Sequence, residues 1–227
     1  MKFLSVIVMM AALTKVGALA KDGDAAPPAL GVAADPKTGK LPEDTTGLAQ
    51  KAAAAFGKGD WEGASAAYKE MLHIEPNNAL AWANLGASEQ QAGRNKEASV
   101  CFEQSVRFNP ALTQSWIALG LIYSSMGDTY RAISVLTRAT HEDPTDARAH
   151  NYLAIAVKKL GWNLAAESEL QKAIALNPDY GLAHFNLALI YLERKPPALE
   201  LVRRHYDKAI ALGVEKDELV ERRLKNP

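Results

Sequence analysis

The sequence predicts an all-α fold, built as an array of helical hairpins that repeat every 34 residues. One column of the repeat begins with two tryptophans and continues at the same spacing with two histidines: Trp82, Trp116, His150 and His184. A second column holds Gly59, Gly93, Gly127 and Gly161, and a third holds Pro76, Pro110, Pro144 and Pro178. Because independent columns fit one period, the pattern indicates a repeat array rather than one long apolar helix.

The stretch SWIALGLIYSSMGDTYRAI, residues 115–133, shows how one hairpin is predicted to form. Positions i, i+3, i+4 and i+7 of its first half lie on one face of a helix and hold Trp116, Leu119, Gly120 and Tyr123. Gly127 can take the left-handed conformation that ends this helix, and Asp128 can cap the next one. Pro144 then stops the second helix, because the residue before a proline is pushed out of helical geometry.

The 34-residue period, the pattern W-x-x-L-G-x-x-Y, the mid-repeat alanine and the closing proline resemble the tetratricopeptide repeat (TPR) family. The resemblance runs from about Thr45 to Lys216. It implies a TPR α-solenoid of about five helix-turn-helix repeats with a C-terminal capping helix. The repeats are expected at 45–78, 79–112, 113–146, 147–180 and 181–216, and the capping helix and tail at 217–227.

The N-terminal segment predicts export. Lys2 precedes an apolar run, and Ala18-Leu19-Ala20 supplies a small-x-small cleavage pattern, so residues 1–20 are predicted to be a secretory signal peptide cleaved after Ala20. The expected location is the periplasm or the extracellular space of a bacterium. Lys15 lies close to the cut, which leaves an uncleaved signal-anchor open. Residues 21–44 are rich in Pro, Gly and Ala and predict a flexible tether, with docking of this segment into the array as the alternative.

The charge balance and the cysteine content limit the classes of partner and covalent cross-link that can be expected. The chain has 26 basic and 26 acidic side chains, and a neutral balance does not favour nucleic acid or an anionic membrane. A membrane contact is expected only through an uncleaved signal segment. Cys101 is the only cysteine, so no intrachain disulfide can form, and its place beside the packing stripe predicts a small, half-buried hydrophobic residue.

No catalytic or metal-binding pattern is present. The sequence lacks G-x-S-x-G, a phosphate-binding glycine loop and H-E-x-x-H. His150 and His184 are one repeat apart, about 10 Å for stacked helices, which is too far to share a zinc ion with bonds of about 2 Å. No carboxylate or cysteine completes a ligand set beside them in the pattern. The sequence therefore predicts a protein with no catalytic residues, metal, cofactor or small-molecule substrate.

The resemblance to TPR proteins implies that a partner protein or peptide binds the concave surface of the first helices. The positions next to the packing stripe are the candidate binding residues: Asn84, Gln114, Ile117, Leu121, Arg148, Asn151, Tyr152, Ile155, Lys158 and Phe185. The alternative is that the apolar members of this set pack against neighbouring helices.

The predicted function is that of a non-catalytic scaffold or adaptor, in envelope assembly or secretion. A regulatory or ordering subunit of an envelope enzyme complex and a self-assembling structural protein are the alternatives, and the oligomeric state is left open.

Overall fold

The computed structural model describes residues 43–225, with side chains from Thr45 onward, and over this range the chain is entirely helical between its turns. The predicted signal peptide and residues 21–42 of the predicted tether lie outside the described residues. Eleven helices follow one another along the described range: α1 Glu43–Gly57, α2 Trp61–Ile74, α3 Ala79–Gln91, α4 Asn95–Phe108, α5 Thr113–Ser125, α6 Thr129–Glu142, α7 Ala147–Lys159, α8 Asn163–Leu176, α9 Gly181–Glu193, α10 Leu199–Ala211 and α11 Glu218–Lys225.

The helices pack as consecutive hairpins within two compact units, one ending at Phe108 and the other beginning at Asn109. In the first unit α1 packs on α2, α2 on α3 and α3 on α4. In the second unit each helix from α5 to α9 packs on the next one, and α7 also contacts α5 and α9. Each hairpin thus covers its apolar stripe with its neighbours, as repeat arrays require.

The turn between α5 and α6 forms as predicted. Gly127 has a φ of 81°, a left-handed conformation that glycine adopts without a steric penalty. The Asp128 carboxylate then accepts a hydrogen bond from the backbone N–H of Arg131 at 3.1 Å and caps α6. The hairpin therefore reverses within a few residues, and the two helices run side by side.

Small residues allow the paired helices to approach closely. A Cβ atom at Gly120 would lie 2.4 Å from Cγ of Leu136 on α6, nearer than real Cβ atoms come to other atoms. The residues at the mid-repeat position of the second helices are fully buried: Ala64, Ala98, Ala132, Ala166 and, on α10, Val202. Large side chains at a second buried position of the same helices complete the core: Tyr68, Phe102, Leu136, Leu170 and Tyr206.

The C-terminal end departs from the repeat, as the sequence predicts. Helix α10 begins at Leu199, two residues later than the 34-residue period would place it. The backbone N–H of Asp217 donates to the Tyr206 hydroxyl at 2.7 Å, and Val220 of α11 is fully buried. Helix α11 therefore covers the end of the last hairpin and acts as the predicted capping helix.

The predicted fold class, an all-α TPR solenoid with five hairpins and a capping helix, is confirmed by these elements. None of the helices within residues 43–225 combines the length and apolar character needed to span a bilayer.

Candidate functional site

The candidate site is the surface formed by the first helices of the second unit, α5, α7 and α9, which we call the first-helix face. These helices lie next to one another because α7 contacts both α5 and α9. Nine of the ten predicted binding residues belong to this face. The tenth, Asn84, lies on α3 of the first unit, where its backbone carbonyl accepts a hydrogen bond from the Ser88 hydroxyl.

Four of the predicted binding residues are buried, which corrects their assignment as surface that a partner could touch: Asn84, Ile117, Asn151 and Phe185. Ile117 packs in a cluster with Ala139 and Ala149. Phe185 contacts Tyr206 of α10, with 6.3 Å between the ring centroids. These side chains pack between helices, as the alternative interpretation of the sequence predicted, because neighbouring helices fill the space beside the packing stripe.

Asn151 has a structural role between α7 and α9. Its side-chain amide donates to the Tyr180 hydroxyl at 3.2 Å, and its carbonyl oxygen accepts from the amide of Asn186 at 2.9 Å. A buried amide must satisfy its donors and acceptors, or its burial costs stability. The Asn151–Asn186 hydrogen bond therefore joins two adjacent first helices beneath the exposed part of the face.

The other six predicted residues are partly exposed and remain accessible: Gln114, Leu121, Arg148, Tyr152, Ile155 and Lys158. Leu121 and Ile155 hold equivalent positions on α5 and α7, and Leu189 holds the same position on α9 and is also partly exposed. Three aliphatic side chains thus form a stripe across the three helices. This stripe is the apolar surface that the first-helix face offers to another molecule.

The two basic residues of the predicted set are paired within the chain. The Arg148 guanidinium donates to both carboxylate oxygens of Asp146, at 3.1 and 2.7 Å, and these hydrogen bonds raise the pKa of Arg148 against the opposing effect of burial. The Lys158 ammonium donates to Glu193 at 2.7 Å. Neither positive charge is therefore an unpaired anchor for an acidic partner.

The tryptophan and histidine column makes one recurring hydrogen bond. In the four first helices from α3 to α9, a ring nitrogen approaches the carbonyl of the proline that closes the previous repeat. The pairs are Trp82 with Pro76 at 2.7 Å, Trp116 with Pro110 at 2.8 Å, His150 with Pro144 at 3.1 Å and His184 with Pro178 at 3.0 Å. Each repeat is thus joined to the turn that precedes it, so the column is structural.

The second nitrogen of each histidine has a partner that the sequence pattern did not reveal. Nδ1 of His150 lies 2.6 Å from the Glu169 carboxylate, and Nδ1 of His184 lies 2.9 Å from Nδ1 of His205. The expectation that no carboxylate lies beside His150 is therefore wrong, because α8 brings Glu169 across the hairpin. Within residues 45–225, no three His, Cys, Asp or Glu side chains are grouped closely enough to hold a metal ion.

Cys101 is buried in α4 and carries a free thiol. Burial, followed by the charge of Glu89, raises its pKa to about 11. The thiol is therefore protonated at neutral pH and a poor nucleophile. This agrees with the prediction of a small hydrophobic residue rather than a redox centre.

The predicted binding set did not include a group of exposed apolar side chains at the turns of the second unit: Met126, Tyr130, Trp162 and Leu164. Helical periodicity cannot detect them, because they lie at or next to the turns and not on a packing stripe. Comparing the residue types at equivalent turn positions of successive repeats would have identified them.

Among solved structures, a crystal structure of MamA protein is 25% identical to the chain, with a TM-score of 0.66, and the match covers 76% of this chain and 93% of that one. MamA from Desulfovibrio magneticus RS-1 is 20% identical with a TM-score of 0.67, over 76% and 96% of the two chains. PilF of Pseudomonas aeruginosa is 18% identical with a TM-score of 0.68, over 77% and 78%. These similarities support the fold.

No match was found among curated protein sequences. Models of the tetratricopeptide repeat match residues 79–112, 115–148 and 159–213, which together make up more than half of the sequence. TPR proteins bind protein partners and generally act as non-catalytic scaffolds. The repeat period, the paired helices and the family models agree, and the chain belongs to the tetratricopeptide repeat family.

Proposed function

We propose that this protein is an exported adaptor that binds a peptide or helix of a partner protein on its first-helix face, in envelope assembly or secretion. The observation that carries the proposal is the aliphatic stripe of Leu121, Ile155 and Leu189, which stays partly exposed on three adjacent helices. The export part rests on the N-terminal sequence pattern alone.

The length of the stripe suits a short segment of a partner. Packed helices lie about 10 Å apart, so three of them span about 20 Å. An extended peptide advances about 3.4 Å per residue, and about six residues would cover this distance. A helix rises 1.5 Å per residue, so about 13 residues would be needed. Either ligand would place an apolar side chain against each of the three helices.

The electrostatics of the face favour an apolar partner over a strongly acidic one. A carboxylate on the partner would have to compete with Asp146 for Arg148 and with Glu193 for Lys158, since both pairs are already formed. Binding should therefore depend mainly on apolar burial and only weakly on salt concentration. The amides and hydroxyl at the rim, those of Gln114, Asn186 and Tyr152, can contribute hydrogen bonds around the stripe.

The proposal is tested by affinity capture from bacterial envelope extracts with the variant Leu121→Asp, Ile155→Asp. Each substitution places a carboxylate where the partner is expected to bury aliphatic surface, and an unpaired charge there is costly. We expect the captured partner to be lost, and the affinity of the purified partner to fall by more than about tenfold, or about 1.4 kcal/mol.

The matched control is the variant Leu176→Asp, Leu219→Asp, which makes the same chemical change at exposed leucines of α8 and α11. Both variants must retain the circular dichroism spectrum and melting temperature of the wild type. Equal capture of the same partner by the wild type and by both folded variants would place binding elsewhere and reject the proposed face.

A further inference from the structure

Large apolar side chains are exposed where adjacent hairpins of the second unit turn. Leu164 is 82% exposed, Tyr130 72%, Trp162 53% and Met126 49%. They belong to two turn segments, residues 124–131 and 158–165. Together with the next turn, residues 192–199, these segments form what we call the turn edge. Side chains this exposed make few contacts within their own chain, so the packing of the hairpins does not account for them.

The three segments lie beside one another. The Lys159 ammonium donates to the Ser124 carbonyl at 3.2 Å and joins the first two segments. The Lys158 ammonium donates to Glu193 at 2.7 Å and joins the second to the third. The exposed apolar residues of two hairpins and the polar turn of the next hairpin thus share one edge of the second unit.

The repeat itself does not require apolar residues at these positions. The position three residues after the turn glycine holds Tyr130 and Leu164 at the turn edge, whereas in the first unit it holds the charged residues Glu62 and Lys96. The position of Trp162 is held in the three preceding hairpins by Asp60, Arg94 and Asp128. The apolar character is therefore a property of this edge and not of the repeat.

Trp162 also replaces a helix cap. The carboxylates of Asp60 and Asp128 accept hydrogen bonds from the first turns of α2 and α6, whereas Trp162 precedes α8 without a side-chain cap. Loss of such a cap lowers helix stability. Trp162 is therefore an exposed apolar side chain at a position where an aspartate would stabilise the fold.

The charge of the turn edge indicates what kind of surface it contacts. Its three segments contain five basic and two acidic side chains, a net charge of +3, although the whole chain is neutral. Glu167 pairs with Arg194 from outside the segments, so the local charge with this partner included is +2. The equivalent segments of the first unit, residues 56–63 and 90–97, contain three basic and three acidic side chains. Positive charge therefore accompanies the exposed Trp, Tyr and Leu in the second unit and is balanced where those residues are missing.

We propose that the turn edge docks the protein on an anionic phospholipid surface. Trp and Tyr are enriched at membrane interfaces, where their rings sit at the level of the headgroups, and protruding Leu and Met can enter the acyl boundary. Basic side chains near the surface are attracted to anionic headgroups. The inference is independent of the first-helix face, since Trp162, Tyr130 and Leu164 are not among the residues that would contact a partner there.

The test is cosedimentation of the full chain with vesicles of phosphatidylcholine alone or mixed equally with phosphatidylglycerol. The variant Trp162→Asn, Leu164→Gln removes two apolar side chains without changing the charge. We expect its partition onto the mixed vesicles to fall on the order of tenfold, and wild-type binding to be weaker on phosphatidylcholine alone. The N-terminal apolar run is the same in every variant, so a difference in partition between two variants comes from the substituted residues.

The control variant Leu176→Gln, Leu219→Gln makes a similar change away from the edge and should bind like the wild type. Because Asn can cap a helix, the melting temperature of the edge variant should stay the same or rise, which separates lost docking from lost folding. A fluorophore on Leu164→Cys should shift its emission to the blue on mixed vesicles, and one on Leu219→Cys should not. The buried Cys101 should react poorly with the label.

Equal partition of the edge variant and the wild type would overturn the proposal. So would wild-type binding that does not depend on phosphatidylglycerol. The proposal would also be wrong if the edge substitutions abolished self-association, measured by light scattering, while leaving vesicle binding unchanged. In that case the turn edge would be a protein contact.

Discussion

Two kinds of repeat in this chain make the same connection with different side chains. In the repeats at 79–112 and 113–146, which we call the tryptophan repeats, an indole N–H donates to the carbonyl of the preceding closing proline. In the repeats at 147–180 and 181–216, the histidine repeats, an imidazole Nε2 makes this bond. The backbone target is the same, so the column conserves a hydrogen bond and not a ring type.

The residues around the column change with it. Four residues after the column position, the tryptophan repeats have Gly86 and Gly120, and the histidine repeats have Ala154 and Ala188. The equivalent position on the second helix, allowing for the late start of α10, holds Cys101, Val135, Glu169 and His205 in turn. An indole has one N–H and needs no polar residue there. An imidazole has a second nitrogen, and in both histidine repeats a polar side chain lies within hydrogen-bond distance of it.

The largest expected effect concerns the glycine of a tryptophan repeat. Gly120→Leu should lower the free energy of unfolding by about 1–3 kcal/mol, because overpacking a close contact is destabilising. The new side chain would begin in the space that Leu136 occupies. Urea unfolding followed by circular dichroism measures the change.

The control for this prediction is a double-mutant cycle with Leu136→Ala. If the two side chains compete for one space, the double variant should be more stable than the sum of the single effects predicts. Additive effects, or an unchanged melting curve for Gly120→Leu, would show that the two helices do not touch at this point.

An intermediate effect is expected at the polar pair of a histidine repeat. The two ring nitrogens of His150 each face an oxygen atom, Nδ1 the Glu169 carboxylate and Nε2 the Pro144 carbonyl. Burial opposes ionisation of Glu169, but hydrogen bonds from Lys172 and His150 outweigh it and lower the pKa of this carboxyl. Its stabilising effect is therefore present above the ordinary carboxyl pKa and is lost as the pH falls through the lowered value.

Glu169→Gln should lower the free energy of unfolding at neutral pH by about 1–2 kcal/mol, because it removes the carboxylate charge from a largely buried hydrogen bond with the His150 ring. Lys172→Gln removes only the more exposed partner of Glu169 and should change stability by less than about 0.5 kcal/mol. Thermal unfolding of both variants gives the comparison. Similar small effects for the two substitutions would mean that the hydrogen bond between Glu169 and His150 does not stabilise the fold.

These differences show which features the sequence could predict. The fold follows from several columns that repeat with one period, because Trp116, Gly120, Gly127 and Pro144 each restrict the backbone or the packing in a way that the type of residue reveals. The late start of α10 could be predicted for the same reason, since Pro196 and Pro197 lengthen the turn. Local chemistry was sufficient for these features.

The candidate site depended on distances between helices, which a period does not contain. Ile117 and Leu121 lie on the same helix and look equally suitable in the sequence, yet Ile117 is buried and Leu121 is partly exposed. The Glu169–His150 pair likewise depends on the register of α8 against α7. Turn residues such as Trp162 were missed because a helical period says nothing about side chains at the ends of helices.

The smallest expected effect is a pH dependence from the other histidine repeat. Nε2 of His184 faces the Pro178 carbonyl, so in the neutral pair the single hydrogen between the two Nδ1 atoms comes from His205. Burial, followed by the charges of His184 and Arg204, lowers the pKa of His205.

The sign of the effect follows from the lowered pKa of His205. Above its ordinary value of 6.5, this histidine is neutral in the folded and the unfolded chain and has no effect on the pH dependence. Just below 6.5 the unfolded chain binds a proton that the folded chain does not, so stability falls as the pH decreases. His205→Gln should reduce the loss of melting temperature between about pH 7.5 and about pH 5, whereas His141→Gln, a change at an exposed histidine, should leave it unchanged. If both variants lost as much stability as the wild type, the second nitrogen of the histidine repeats would have no energetic consequence, and the two kinds of repeat would differ only in shape.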